Sequence, residues 1–136
     1  MDPTILAKLS DSTATIDQLK ALINRFVQER GWESFHSPKN LSMSIAIEAA
    51  ELMEHFQWTN QSPSSIPLAH DSPIAQELSD VIAYSLALAT VLGIDLSRAL
   101  ESKMERNKLK YPVGAEYAPK GISSQGESLE NVKSPK

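Results

Sequence analysis

The stretch SIAIEAAELMEHFQW, Ser44–Trp58, is an apolar helical pattern that contains acids. At 100° of rotation per residue, Glu48 falls inside the stripe formed by Leu41 and Leu52. Glu51 lies beside it on the same side of the helix. A carboxylate in apolar surroundings is costly unless it is protonated or paired. The stretch therefore predicts a helix whose core-facing edge carries two acids that need a partner.

Helix start and stop signals recur four times along the chain, and strand patterns are rare. The starts carry Ser, Thr or Asp at the N-cap position, two of them with proline in the first turn, and two segments stop at a glycine. The predicted helices run from Thr15 to Gly31, from Ser37 to about Gln57, from Ser72 to Gly93, and from Asp95 or Ser97 to the residue before Pro112. This pattern predicts an all-α fold, a four-helix antiparallel bundle with a small core, and a small core favours self-association.

The length of 136 residues suits one compact domain. We predict an N-terminal extension over residues 1–14, a helical domain over residues 15–112 and a flexible tail over residues 113–136. The tail holds three of the five glycines of the chain and few large apolar side chains.

The amino-acid composition limits the kinds of molecule and metal site that we expect for this protein. The chain has 13 Lys and Arg against 17 Asp and Glu, a net charge of -4, and no run of basic residues, which argues against nucleic acid. The absence of cysteine excludes disulfides and thiolate metal sites. No signal peptide and no continuous apolar run of roughly 20 residues is visible, so we expect a cytoplasmic protein with no membrane contact.

A second acid pair, Glu77 and Asp80, lies on the predicted third helix beside Tyr84 at helical spacing. No lysine or arginine occurs between Leu41 and Leu92, so the charge that compensates four acids cannot come from these helices. A single acid pair three residues apart is usually solvated, but two pairs facing one core favour a hard divalent cation with oxygen ligands, Mg²⁺ above all. HExxH, EF-hand and glycine-rich phosphate motifs are absent.

The acids also match a known signature. EAAE at residues 48–51 is followed after 25 residues by ELSD at residues 77–80, which resembles the ExxE…ExxD signature of the all-α MazG-like nucleoside triphosphate pyrophosphohydrolases. The segments RGWESFHSPKNLSMSIAIEAAELMEHFQW, ELSDVIAYSLALA and KMERNKLKYPV are similar to the dCTP pyrophosphatase branch of that superfamily. The resemblance covers roughly Ile16 to Val113.

The resemblance implies roles for ten residues. Four acids would bind Mg²⁺, with Mn²⁺ as an alternative, and through it the triphosphate: Glu48, Glu51, Glu77 and Asp80. Three aromatic residues would contact the base: Trp32, Trp58 and Tyr84. Three residues of the fourth helix would contact phosphate: Lys103, Asn107 and Lys108. Some members of the branch carry a histidine where this chain has Ile23, which leaves the choice of nucleobase open.

The implied activity is Mg²⁺-dependent hydrolysis of (deoxy)nucleoside triphosphates, dCTP or modified dCTP among them, to the monophosphate and pyrophosphate. Its use would be sanitation of the nucleotide pool by a homodimer or homotetramer. Sequence does not assign the general base among the four acids. Two alternatives stay open: a non-catalytic helical bundle that binds nucleotide or protein, and a pyrophosphohydrolase directed at dUTP or at nucleoside triphosphates broadly.

Overall fold

The computed structural model describes residues 9–60, 62–66 and 69–114, and these residues are helical with no strand. The α-helices are α1 (Ile16–Glu29), α2 (Pro38–Glu54), α3 (Pro73–Leu92) and α4 (Leu96–Lys110), and two 3₁₀ helices lie at Glu33–Phe35 and Pro63–Ser65. The predicted all-α fold is confirmed. α2 ends earlier than predicted, because residues 55–58 form turns.

The predicted caps fix where the helices begin. Thr15 and Gln18 form a reciprocal capping box, with the Gln18 amide nitrogen donating to the Thr15 hydroxyl at 3.2 Å and the Thr15 amide donating to the Gln18 side chain at 2.8 Å. The Ser37 and Ser72 hydroxyls accept from backbone N–H groups of the first turns of α2 and α3. Asp95 accepts from a first-turn amide of α4. Each cap satisfies a backbone donor that the helix itself leaves unpaired.

α3 lies at the centre of the packing, in contact with both α1 and α2. Ser44, in the first half of α2, shares a cleft with Tyr84, whereas Glu51, further along α2, meets Glu77, nearer the start of α3. Later positions on α2 therefore lie near earlier positions on α3. The two helices pack antiparallel, and the acids predicted on each of them come to one edge of the pair.

Few side chains in the described part of the chain are fully removed from water. The buried apolar residues are Val27, Leu41, Leu86, Ala87 and Ala89. Three of these belong to α3, and two of those are alanines, so α3 approaches its neighbours through small side chains. The core is therefore as small as the sequence predicts.

The chain divides into two compact units, Met1–Ala99 and Leu100–Lys136, so that α4 begins in the first and continues in the second. Within the described residues, α3 is the one helix long and apolar enough to cross a membrane by length and composition. The sequence-based expectation concerned a continuous apolar run, and polar residues interrupt α3, so that expectation stays a prediction. A core helix of a globular domain meets the same criterion, and α3 carries Glu77 and Asp80. The predicted tail lies outside the described residues beyond Gly114.

Candidate active site

Three of the four predicted acids meet where α2 and α3 pack together. Carboxylate oxygens of Glu48, Glu51 and Glu77 all lie within 4.8 Å of one another. The spacing of three residues places Glu48 and Glu51 on one side of α2, and the antiparallel packing brings Glu77 to meet them. Glu48 and Glu77 are half-buried and Glu51 is exposed. These three residues are called the acid cluster below.

Glu48 is the electrostatic centre of this group. Burial raises the pKa of its carboxyl above the ordinary value of 4.5, and the charges of Glu51, Asp80 and Glu77 raise this pKa further. Asp80 is exposed and lies outside the tight cluster, yet its charge acts on Glu48. Three negative groups thus act on one half-buried carboxylate, a situation that favours protonation or a bound cation.

The donor set fits a hard divalent cation. Within the described ranges 9–60, 62–66 and 69–114, no lysine or arginine forms an ion pair with any of the four acids. Carboxylate oxygens are the ligands that Mg²⁺ prefers, and Mg²⁺ is commonly held by one or two carboxylates together with substrate phosphates and water. The acid cluster therefore has the chemistry and spacing to hold such an ion.

An aromatic cleft of about 250 Å³ lies where the segment between α1 and α2 meets the first half of α2 and Tyr84 of α3. Its apolar walls come from Trp32, Phe35, Leu41 and Tyr84. Its polar side chains are His36, Asn40 and Ser44. Two of the three predicted base-contacting residues, Trp32 and Tyr84, are thus brought together although 52 positions separate them (84 - 32).

The end of α1 places Trp32 in this cleft. Gly31 adopts the left-handed conformation, with φ 64°, and the Trp32 amide donates back to the Val27 carbonyl at 3.1 Å. This is the glycine-terminated helix end, in which the chain turns sharply away from the helix axis. The Trp32 ring then packs edge-on against Phe26, with ring centroids 5.9 Å apart, and the Arg30 guanidinium covers the Phe26 ring at 3.5 Å.

The cleft and the acid cluster are one to two helical turns apart. Ser44 precedes Glu48 by four residues on α2, and Tyr84 follows Glu77 by seven residues on α3. Four to seven residues of helix advance about 6 to 10 Å. An elongated ligand with a flat ring at one end and anionic groups at the other therefore matches the order of groups along the α2–α3 pair.

Comparison with known proteins agrees with this arrangement. A model of the MazG-like family matches residues 43–125, more than half of the chain. This chain belongs to the MazG-like family. Mouse dCTP pyrophosphatase 1 is 40% identical over 126 residues, covering 85% of this chain and 74% of that protein. The human protein of that name is 38% identical over 101 residues, 72% of this chain and 59% of its own length.

A solved structure supports the fold as well. The crystal structure of a pyrophosphatase from Archaeoglobus fulgidus is 37% identical and superposes with a TM-score of 0.63, covering 77% of this chain and 99% of that one. All four predicted acids of this MazG-like chain lie within the matched residues 43–125, whereas Trp32 and His36 lie before them.

The resemblance implies site roles for four further residues. Trp58 is 86% exposed and does not line the aromatic cleft. Lys103, Asn107 and Lys108 lie on α4 within the second unit, where Lys108 pairs with Glu105. Their roles stay predictions.

Three polar residues of the cleft were missed by the sequence analysis of this MazG-like chain. Asn40 and Ser44 precede Glu48 by eight and four residues, so helical spacing from the acid places them on the same side of α2 and would have indicated them. His36 follows a 3₁₀ helix, where no periodic pattern exists to assign it a direction.

Proposed function

We propose that the chain hydrolyses dCTP or a modified dCTP to the monophosphate and pyrophosphate with the help of a divalent metal ion. The broad class is confirmed, because the curated relatives from mouse, rat, cattle and human are named dCTP pyrophosphatase 1 and the solved relative is a pyrophosphatase. The chain is a nucleoside triphosphate pyrophosphohydrolase. Its metal and its preferred base belong to the proposal.

One observation supports it: along the antiparallel helices α2 and α3, the acid cluster lies one to two helical turns from the residues that line the aromatic cleft. A nucleoside triphosphate has a flat base at one end and a chain of phosphates at the other. With its base between Trp32 and Tyr84, the triphosphate extends along α2 and α3 toward Glu48 and the other acids. Aromatic rings bind bases by stacking, and carboxylates bind phosphates only through a cation.

The four acids have two tasks in this reaction. Glu48, Glu51, Glu77 and Asp80 would hold Mg²⁺ or Mn²⁺. When bound, the ion supplies neutralisation of the phosphate oxygens and of the charge that develops on the departing pyrophosphate. One carboxylate of the four orients the attacking water or accepts its proton. Burial and the charges of the neighbouring acids raise the pKa of the Glu48 carboxyl, which supports a place for this residue at the centre of the site.

The remaining groups bind the substrate. Trp32 and Tyr84 hold the base, and Trp58 contacts it. Lys103 and Lys108 add positive charge near the outer phosphates, and Asn107 supplies directional hydrogen bonds. These assignments are supported by the family resemblance, and those of Trp32 and Tyr84 also by their place in the cleft.

The proposal includes the setting of the enzyme. It acts as a homodimer or homotetramer in the cytoplasm, where it removes surplus or modified pyrimidine nucleotides before polymerases use them. The small core described above supports self-association.

Substrate profiling tests the proposed function. The purified chain is incubated with Mg²⁺ and each common NTP and dNTP, and released pyrophosphate is measured. We expect dCTP or 5-methyl-dCTP to give the highest kcat/KM, and excess EDTA to abolish turnover. A higher kcat/KM with dUTP or dATP than with either cytosine substrate would show that the assigned base is wrong. Full turnover in EDTA, or none with any triphosphate in Mg²⁺, would refute the metal-dependent hydrolysis.

A matched control variant distinguishes the loss of an acid of the cluster from the loss of any negative charge on α2. Glu54 lies at the end of the same helix as Glu48 but outside the cluster. Glu54→Gln should retain turnover, whereas Glu48→Gln should lose it. Equal effects of the two substitutions would show that the wrong acids have been assigned.

A further inference from the structure

Phe35 is an aromatic residue of the cleft to which neither the helical pattern nor the family resemblance assigns a role. It lines the aromatic cleft with Trp32 and Tyr84, and it is 66% exposed. Trp32, which the resemblance implies at the base, is 45% exposed. An exposed aromatic residue in a concave site provides apolar surface that a bound ligand can cover. The cleft therefore offers a substrate more aromatic surface than the predicted residues alone provide.

One hydrogen-bonded turn joins Phe35 to Trp32. The Phe35 amide donates to the Trp32 carbonyl at 3.0 Å, at the 3₁₀ helix Glu33–Phe35. Residues three apart in a 3₁₀ helix eclipse each other, so this spacing places Trp32 and Phe35 on the same side of the turn. The Trp32 amide donates to the Val27 carbonyl at 3.1 Å, which ties the beginning of the turn to the end of α1.

A side chain of α2 holds the other end of this turn. The Asn40 side-chain amide donates to the Phe35 carbonyl at 3.0 Å, and Asn40 itself lines the cleft. The Asn40 backbone amide donates to the Ser37 hydroxyl at 3.2 Å, as part of the cap of α2. The next residue, Leu41, is only 1% exposed. The Asn40 side chain therefore ties Phe35 to a capped helix start that is anchored in the core.

We infer that Phe35 is a substrate-binding residue that packs against the base beside Trp32, and that Asn40 is a positioning residue that holds Phe35 in the cleft through the Phe35 carbonyl. This inference rests on the proposed function, since it assumes that the base occupies the cleft between Trp32 and Tyr84. It adds a further aromatic contact to the base and the hydrogen bond that fixes its place.

The two residues should affect binding in different ways. An aromatic ring that packs on a base tolerates any base, because every base has a π-face. The contribution of Phe35 should therefore be the same for cytosine and uracil ligands. Asn40 acts only through Phe35, so its contribution should disappear once the Phe35 ring is removed. Residues that act as a unit show non-additive effects of this kind.

Variants of Phe35 test the contact with the base. Titration calorimetry in EDTA measures Kd for dCMP and dUMP, and steady-state assays in Mg²⁺ measure KM and kcat for dCTP. Phe35→Ala should raise both Kd values and KM by about 5- to 150-fold, the range for one stacked base, with kcat little changed. Phe35→Tyr keeps the ring and should keep the wild-type values. Leu22→Ala removes another exposed apolar side chain, outside the cleft, and should have no effect on binding.

Variants of Asn40 test the positioning role. Asn40→Ala should raise KM for dCTP by about 2- to 13-fold, the factor that corresponds to one ordinary hydrogen bond. Asn40→Asp should raise it at least as much, because an ionised carboxylate cannot donate to a carbonyl. Ser42→Ala is the matched control, since it removes a side-chain hydrogen bond to the Lys39 carbonyl in the same part of α2 but outside the cleft. In a Phe35→Ala background, Asn40→Ala should change KM no further.

The outcomes distinguish the inference from the function on which it rests. Wild-type KM and Kd values in folded Phe35→Ala, or a loss of affinity confined to one of the two bases, would overturn the stacking contact while hydrolysis stands. Additive effects of Phe35→Ala and Asn40→Ala would overturn the positioning role. If the wild type hydrolyses no triphosphate, the proposed function fails, and the dCMP titrations still decide whether Phe35 contacts the base. Absence of dCMP binding by the wild type in that case overturns both.

Discussion

Glu48 shows how a functional requirement works against stability at a single residue. Its carboxyl is half-buried and surrounded by the charges of Glu51, Asp80 and Glu77. In the protein without metal, both the burial of the Glu48 carboxyl and the neighbouring negative charges disfavour its ionised form in the folded state. Sites that are destabilised in this way are retained where catalysis needs them.

Replacement of Glu48 by its amide should have opposite effects on activity and stability. Glu48→Gln keeps the shape and removes the charge, so turnover should fall by at least about 10²-fold, the scale for loss of one strong electrostatic contact to the transition state. The melting temperature of the metal-free protein should rise, because one repulsive charge is gone. Calorimetry in EDTA with Glu54→Gln as control measures the second effect. Near-normal turnover, or a lower melting temperature, would contradict the assignment.

The raised pKa of Glu48 also predicts how stability depends on pH. Between 4.5 and the raised value, the folded protein binds more protons at this site than the unfolded chain does, so stability falls as pH rises through that interval. Below 4.5 both states are protonated and the penalty vanishes. In EDTA, the melting temperature of Glu48→Gln minus that of the wild type should therefore grow as pH rises. A difference that is constant or shrinks over this interval would show that Glu48 is not destabilised when ionised.

For single residues, helical periodicity was enough to predict which acids lie on one edge of the helices, and three of the four meet in the structure. The same reasoning did not reveal His36, because its direction is set by a 3₁₀ turn and by the Asn40 tie to the Phe35 carbonyl. Trp58 shows the converse case. The resemblance predicts it at the base, but its 86% exposure within one chain is a property of packing that no local pattern encodes.

Among the elements, the end of α1 is the part that positions the aromatic cleft. Gly31 has φ 64°, and a Cβ added there meets no atom within 4 Å, so the cost of a side chain is conformational and not steric. Gly31→Ala should destabilise the fold by about 1 to 2 kcal/mol, the cost of the left-handed conformation for an L-residue. It should also raise KM for dCTP, because Trp32 follows directly. Denaturant unfolding and steady-state kinetics measure the two effects, and unchanged stability would show that the turn can relax.

The two tryptophans provide a comparison between a residue inside the cleft and one outside it. Stacking of a base on an aromatic ring contributes roughly 1 to 3 kcal/mol, so Trp32→Ala should raise KM for dCTP by about 5- to 150-fold with kcat little changed. Trp58→Ala should raise it less, since Trp58 does not line the cleft. A larger effect at Trp58 would place the base elsewhere.

The α-helices were largely predictable, because capping side chains and glycines mark where they begin and end. Thr15, Ser37 and Ser72 cap helices as expected, and Gly31 and Gly93 end them in the left-handed conformation. The 3₁₀ helices at Glu33–Phe35 and Pro63–Ser65 had no such signal, since one short turn carries no periodicity. The C-terminal end of α2 was placed too late, because His55 and the residues after it continue in turns that resemble a helix in sequence.

For the molecule as a whole, the apolar side chains that remain exposed are as informative as the buried ones. Met43 and Ile47 on α2 are 52% and 54% exposed, and Leu78 and Ile82 on α3 are each 49% exposed. The members of each pair are four residues apart, so each pair forms a short apolar ridge. Met43 and Ile47 lie on the side of α2 opposite Leu41, the most deeply buried residue. α2 is therefore apolar on two sides, and only one of them is covered by α3.

A second copy of the chain is the partner that we expect on this uncovered face. Full burial of a large apolar side chain contributes about 1.5 to 3 kcal/mol, so covering the exposed half of Met43 and of Ile47 contributes on the order of 1 kcal/mol per side chain, counted on both copies. Because its core is small, the isolated chain has little stability of its own, so the free energy gained by association is comparatively large. Ile47→Glu should therefore shift the protein from dimer or tetramer to monomer in sedimentation equilibrium and should lower its melting temperature, because stability and association are linked. Gln28→Glu, an exposed position on α1, adds the same charge away from this face and should leave the assembly unchanged. A wild type that stays monomeric at high concentration, with the same melting temperature as Ile47→Glu, would mean that this face has no partner and that the small core suffices alone.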